Sequence, residues 1–222
     1  MINKNLNLGL CSLILLFSNF CYAQTPPQTT DSLRHPLYVG AIGGFGSTTW
    51  EGLVPSQQNQ NLALNMSTPI RTQEGGQVWG VMAGYEFTPF FALEANYMHY
   101  PQASVIFDTF SLFSFNHEGL EGFNTDTEAF SFMGKVMLVI PNTKMRVYSS
   151  AGIANVHRED IVVDDWRLTP SFGVGLNYQI SDHLMGELGG NYTAGYGESQ
   201  LNPADAYFPF LYSVSLRLAY RF

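Results

Sequence analysis

Phe210-Leu211-Tyr212-Ser213-Val214-Ser215-Leu216-Arg217-Leu218-Ala219-Tyr220-Arg221-Phe222 closes the chain and alternates from end to end. Phe210, Tyr212, Val214, Leu216, Leu218, Tyr220 and Phe222 share one face of an extended chain, while Ser213, Ser215, Arg217, Ala219 and Arg221 share the other. Such a period of two is the mark of a strand, whose successive side chains point to opposite sides. The stretch before it repeats the pattern, with Leu168, Phe172, Val174, Leu176, Tyr178 and Ile180 set against Thr169, Ser171, Gly173, Gly175, Asn177 and Gln179. Similar segments near 37–47, 77–87, 90–100, 128–140, 144–157 and 184–195 bring the number to eight. Several run to about 10–14 residues, longer than the usual strand of a globular protein and close to what crosses a bilayer at a tilt.

The connections between these segments alternate in length. They are long (48–76), tight (Thr88-Pro89), long (101–127), tight (Pro141-Asn142-Thr143), medium (158–166), tight (Ser181-Asp182-His183) and medium (196–208). That asymmetry places the long loops on one side of a membrane and the tight turns on the other. A water-facing barrel would expose the polar face, yet Gly80, Gly84, Gly173, Gly175, Ser213 and Ser215 make a poor solvated surface. The opposite face offers Trp79, Val81, Tyr85 and Phe87 on one segment alone. In a bilayer the apolar face meets lipid, the small and polar face fills a narrow interior, and the sheet must close because an open edge in hydrocarbon leaves backbone groups unpaired. The fold predicted is all-β, an eight-stranded antiparallel up-and-down transmembrane β-barrel over 36–222.

Composition agrees. Of 222 residues, 14% are aromatic and only 13% charged, which excludes a disordered chain. The formal net charge is −8, so no basic stripe is present to hold a nucleic-acid backbone. At the N-terminus, Lys4, the apolar run Leu6–Phe17 and the sequence Cys21-Tyr22-Ala23 have the form of an export signal cleaved after Ala23. The run is too short for a membrane-spanning helix. Removing 1–23 takes both cysteines, one lysine and no acid, leaving a mature chain at −9 without disulfide or thiolate chemistry. Residues 24–35 read as a periplasmic lead-in.

With its export signal, eight segments and terminal Leu216-Arg217-Leu218-Ala219-Tyr220-Arg221-Phe222, the sequence resembles the small outer-membrane β-barrel family that includes the outer-membrane protein A membrane domain and the opacity proteins. The resemblance implies a Gram-negative outer-membrane location among lipid and lipopolysaccharide. It also implies insertion by the barrel-assembly machinery, with Tyr220 and Phe222 in the recognised signal.

Glu86, Glu94, Lys135, Arg146, Glu187 and Arg217 occupy positions the alternation turns inward, all near the tight-turn end. They are expected to form a charged belt that plugs the lumen, with Gly84, Gly173 and Gly189 leaving room for long side chains. The segment 144–157 is the ambiguous one, because Ser149 and Ala151 alternate with Ser150 and Gly152 and Arg146 alone votes. A proton or metal relay through the carboxylates is the alternative to a plug.

Signals for enzymatic chemistry are thin. None of His35, His99, His117, His157 and His183 is followed two residues later by serine, the pattern of the outer-membrane lipid A hydrolases, although His99 could in principle face a loop serine. There is no G-x-S-x-G, phosphate-binding glycine loop or zinc spacing, and no cofactor is implied. The loop acids Glu118, Glu121, Asp126, Glu128, Glu159, Asp160, Asp164 and Asp165 suit a solvated rim, or bridging to lipopolysaccharide phosphates through divalent cations. The second long loop is unusually apolar. Phe107, Phe110, Phe113 and Phe115 either cover the barrel mouth or form a patch that contacts a host surface, another barrel or an apolar ligand. Three functions remain in order: a non-enzymatic surface barrel with an envelope-structural or adhesive role; a conduit for small apolar molecules like the outer-membrane protein W group, for which Pro170 could mark a gap in the wall or simply a strand start; and a lipid A acyl-chain enzyme.

Overall fold

The computed structural model describes residues 35–50, 69–107, 121–196 and 207–222. Ala23 with the signal segment, and Phe110, Phe113, Phe115, His117 and Glu118 of the second loop, lie outside the described residues. Within them, eight long strands and two short ones form: β1 (Leu37–Thr48), β2 (Arg71–Gln73), β3 (Gly76–Thr88), β4 (Phe91–His99), β5 (Ala103–Ile106), β6 (Gly122–Val139), β7 (Met145–Glu159), β8 (Asp164–Gln179), β9 (Leu184–Thr193) and β10 (Leu211–Arg221). Each long strand pairs antiparallel with its neighbour in sequence, and β1 pairs with β10 to close the barrel.

The register gives the dimensions. From Trp79 of β3, directly opposed residues run through His99, Glu128 and His157 to Trp166 of β8 in one direction. In the other they run through Gly43, Leu216 and Leu188 to Leu176 of the same strand. The wall therefore closes with a stagger of ten residues between Trp166 and Leu176. For eight strands this sets a tilt of about 41° and a backbone radius of about 8 Å, a lumen wide enough for side chains and little else.

Burial inverts as the alternation requires. Leu216 is 65% exposed and Val214 62%, while Ser215 between them is 1% exposed. On β7, Arg146 and Tyr148 are buried in the lumen while Ser149 and Ala151 are exposed on the outer wall, which resolves the ambiguous segment in favour of the facing that Arg146 indicated. Pro170 does not begin a strand: β8 starts six residues earlier, and Pro170 sits in register opposite Ile153. It is where the ladder to β9 ends, with the Ala194 N–H donating to the Pro170 carbonyl at 2.9 Å. A missing N–H costs least at such a position.

The strands project beyond the barrel at the loop end. After the break at Tyr100-Pro101-Gln102, β5 pairs with the top of β6, and β2 adds to β5. Gly75, at φ 89°, makes the turn from β2 into β3 that a side chain would strain. At the opposite end, Asn142 adopts φ 61° in the tight turn between β6 and β7, a conformation asparagine tolerates.

Candidate functional site

All six inward charges are buried near the tight-turn end, and they are joined by a seventh, Arg221. The seven occupy two tiers. In the lower tier, Glu86 of β3 accepts from Arg146 of β7 at 2.8 and 3.1 Å and from both terminal nitrogens of Arg221 of β10. In the upper tier, Glu94 of β4 accepts from Lys135 at 3.2 Å, Arg217 at 2.8 Å and the Tyr38 hydroxyl at 2.8 Å. Lys135 also donates to Glu187 of β9. Asn177 joins the tiers: its carbonyl oxygen accepts from Arg146 at 3.0 Å and its amide donates to Glu187 at 2.6 Å. Three acids and four bases are thus connected across the lumen, so single charges are not left isolated in a low-dielectric interior.

The glycines make room differently from expectation. A side chain at Gly84 would collide with the Tyr38 ring, and one at Gly175 or Gly189 with the Tyr148 hydroxyl. The space is used by two tyrosines that in turn hold the charges, Tyr38 through its bond to Glu94 and Tyr148 through its ring, 4.1 Å beneath the Lys135 ammonium. Gly173 leaves its space to Ser150 and Asn191.

Above the belt, Asn96, Met98, Tyr100, Ala129, Ser131, Met133, Ser171, Asn191 and Thr193 enclose a cavity of about 10 Å³, at the threshold for one water molecule. Phe208, Leu211, Val156 and Val163 are buried farther up. The loop end carries a second, smaller core of Trp50, Ala103, Val105, Phe107, Phe123 and Tyr207. Phe107 is therefore not part of an exposed contact patch: it is 2% exposed, with its ring 5.9 Å from that of Phe123.

Arg158 of β7 ties this crown together. Its side chain is fully buried, bonded to Asp160 at 2.6 Å and to the Tyr207 carbonyl at 2.6 Å, with its guanidinium 4.7 Å over the Trp50 ring. Asp160 also caps the amides of Val162 and Val163, so this acid belongs to the interior rather than to a solvated rim. Glu74 accepts from the Trp50 amide at 2.6 Å, and the Tyr207 hydroxyl donates to the Thr49 carbonyl. Burial pushes the Tyr207 hydroxyl above the ordinary tyrosine range, keeping it a donor. Sequence reasoning missed Arg158, Arg221, Tyr38 and the crown. The two arginines were accessible from the parity that placed Arg146 and Arg217 inside.

Other loop acids have local partners: Asp126 accepts from Gln102, Asp164 lies 2.9 Å from His157, and Asp165 pairs with Arg167. His99 lies 3.4 Å from Glu128 and against Trp79. Among the described residues no group of three His, Cys, Asp or Glu side chains converges to hold a metal. Tyr220 and Phe222 face outward, 49% and 58% exposed, and the Phe222 amide donates to the Leu37 carbonyl at the closing seam.

An uncharacterized protein of Coxiella burnetii is 24% identical over 217 residues, covering 84% of this chain and 85% of its own. Among solved structures, Neisserial surface protein A aligns over 84% of this chain and 97% of its own, with 11% identity and a TM-score of 0.49. The N-terminal barrel of Pseudomonas aeruginosa OprF aligns over 83% and 97%, with 14% identity and a TM-score of 0.45. The attachment invasion locus protein of Yersinia pestis, Ail, aligns over 83% and 98%, with 13% identity and a TM-score of 0.39. The family model for the outer membrane protein β-barrel domain matches residues 12–222, and the chain, a closed eight-stranded barrel with its apolar face outward, belongs to that family.

Proposed function

We propose that this chain is a non-enzymatic surface barrel whose lumen is blocked at the periplasmic end and whose ordered crown faces the exterior, serving envelope integrity or adhesive contact. On this reading it is exported by its N-terminal signal, cleaved after Ala23, and folded by the barrel-assembly machinery with Tyr220 and Phe222 in the recognised segment. It lies in outer-membrane lipid beside lipopolysaccharide. The observation that carries the reading is the two-tier network, in which every inward acid near the tight turns bonds to at least two donors on other strands. Liposome swelling tests it. Vesicles holding the refolded chain are expected to resist small sugars as well as empty vesicles do; rapid sugar entry would overturn the plug.

A conduit for small apolar molecules is the second reading. It is favoured by the end of the β8–β9 ladder at Pro170 together with the apolar upper lumen around Phe208 and Leu211. Such a conduit would pass an apolar solute into the bilayer laterally, above the belt. Uptake of an apolar fluorophore faster than into empty vesicles, abolished by Leu211→Asp, would favour it over the first.

A further inference from the structure

Two imidazoles outside the lumen meet at the periplasmic rim. The ring centroids of His35 and His183 are 4.2 Å apart, with the planes at 58°. The two residues come from distant parts of the chain: His35 leads into β1, and His183 stands in the tight turn between β8 and β9. Backbone bonds hold His183 itself and the two residues that follow His35. The Pro36 carbonyl accepts from the Glu86 amide at 2.9 Å and the Leu37 carbonyl from the Phe222 amide at 2.8 Å, which fixes the chain where His35 leaves it. The His183 carbonyl accepts from the Arg221 amide at 2.8 Å, and its ring stacks on Tyr220 with centroids 5.5 Å apart and planes at 10°.

The tautomer of His183 is set by its partner. Its Nδ1 lies 3.1 Å from the Arg221 carbonyl oxygen, which can only accept, so Nδ1 carries the hydrogen and Nε2 keeps its lone pair. An imidazole oriented by a carbonyl through one nitrogen and open at the other is the arrangement found in metal-ligating histidines. We propose that His35 and His183 form a two-imidazole site for a borderline divalent transition-metal ion such as Cu²⁺ or Zn²⁺. Imidazole nitrogen selects this class over the oxygen-seeking Ca²⁺ and Mg²⁺. With no third converging ligand among the described residues, water completes the shell, so the ion exchanges rather than serving as a structural centre. A bound ion would tie the entry to β1 to the β8–β9 turn on either side of the C-terminal strand. That position is the barrel's closing seam.

The remaining described histidines provide a control. His99 and His157 face the outer wall at the other end of the barrel, each beside its own carboxylate, Glu128 or Asp164. The test is a Cu²⁺ titration of the tag-free, refolded chain in detergent, read by electron paramagnetic resonance. The wild type should show equatorial coordination by two imidazole nitrogens. His35→Ala and His183→Ala should each lose one nitrogen and raise the half-saturating Cu²⁺ concentration about tenfold or more, with circular dichroism unchanged. The double variant His99→Ala/His157→Ala should behave as wild type. A wild type without two-nitrogen coordination, or loss of it in the His99/His157 variant instead, would overturn the proposal.

Discussion

The belt at one end of the barrel and the crown at the other both bury ion pairs, but they are built on opposite principles. In the belt, Glu86, Glu94 and Glu187 each draw donors from different strands, so the partners are fixed by register and supported by a rigid wall. In the crown, Arg158 and Asp160 are two residues apart in sequence, and their group is completed by Trp50 and by the Tyr207 carbonyl, from segments distant in the chain. A network held by register shares the loss of one member among several bonds and strands. One assembled from loops depends on a single hub and opens locally.

This contrast can be broken or sharpened by substitution. The largest effect is expected from Glu86→Leu, which leaves the guanidiniums of Arg146 and Arg221 facing each other in the lumen without their shared carboxylate. Loss of a buried partner costs about 3–5 kcal/mol, read as a lower urea midpoint of the refolded barrel in micelles. Arg217→Met should cost less, about 2–3 kcal/mol, because Lys135 still bonds both Glu94 and Glu187. Gly84→Ala should follow at about 1–3 kcal/mol by driving Tyr38 off Glu94, with the loss reduced in Tyr38→Phe/Gly84→Ala if the hydroxyl bond is what is displaced. Arg158→Met should barely move the global midpoint. Hydrogen exchange would instead show lost protection in β2, β5 and the top of β6 while β8–β10 stay protected. Replacing Phe110, Phe113 and Phe115 together with serine should abolish cell or matrix binding if the second loop is the adhesive element; binding that persists would remove it from that role.

The wall was legible in the sequence because a period of two has one solution once the apolar face is assigned to lipid. Parity put Glu94, Lys135 and Arg217 on one face of their strands, and in the structure Glu94 bonds both bases. Parity could not report which residues meet across the lumen. That depends on the ten-residue stagger, and the stagger is set by strand pairing rather than by any one strand's pattern. Hence the second tier around Glu86 and the use of Gly84, Gly175 and Gly189 as space for tyrosines emerge only in three dimensions. The crown was less legible still. Trp50, Phe107 and Tyr207 sit in or beside connections of irregular length, where no period marks the buried side. Phe107 was apolar for an interior reason, and Asp160 was acidic for a capping one.

Single-channel recording in planar bilayers, with the wild type and Glu86→Leu/Glu94→Leu measured side by side, tests the occluded lumen most directly. Silent wild-type bilayers and discrete openings in the double variant are the expected result. Steady wild-type openings that the double substitution leaves unaltered would contradict a lumen closed by its own charges.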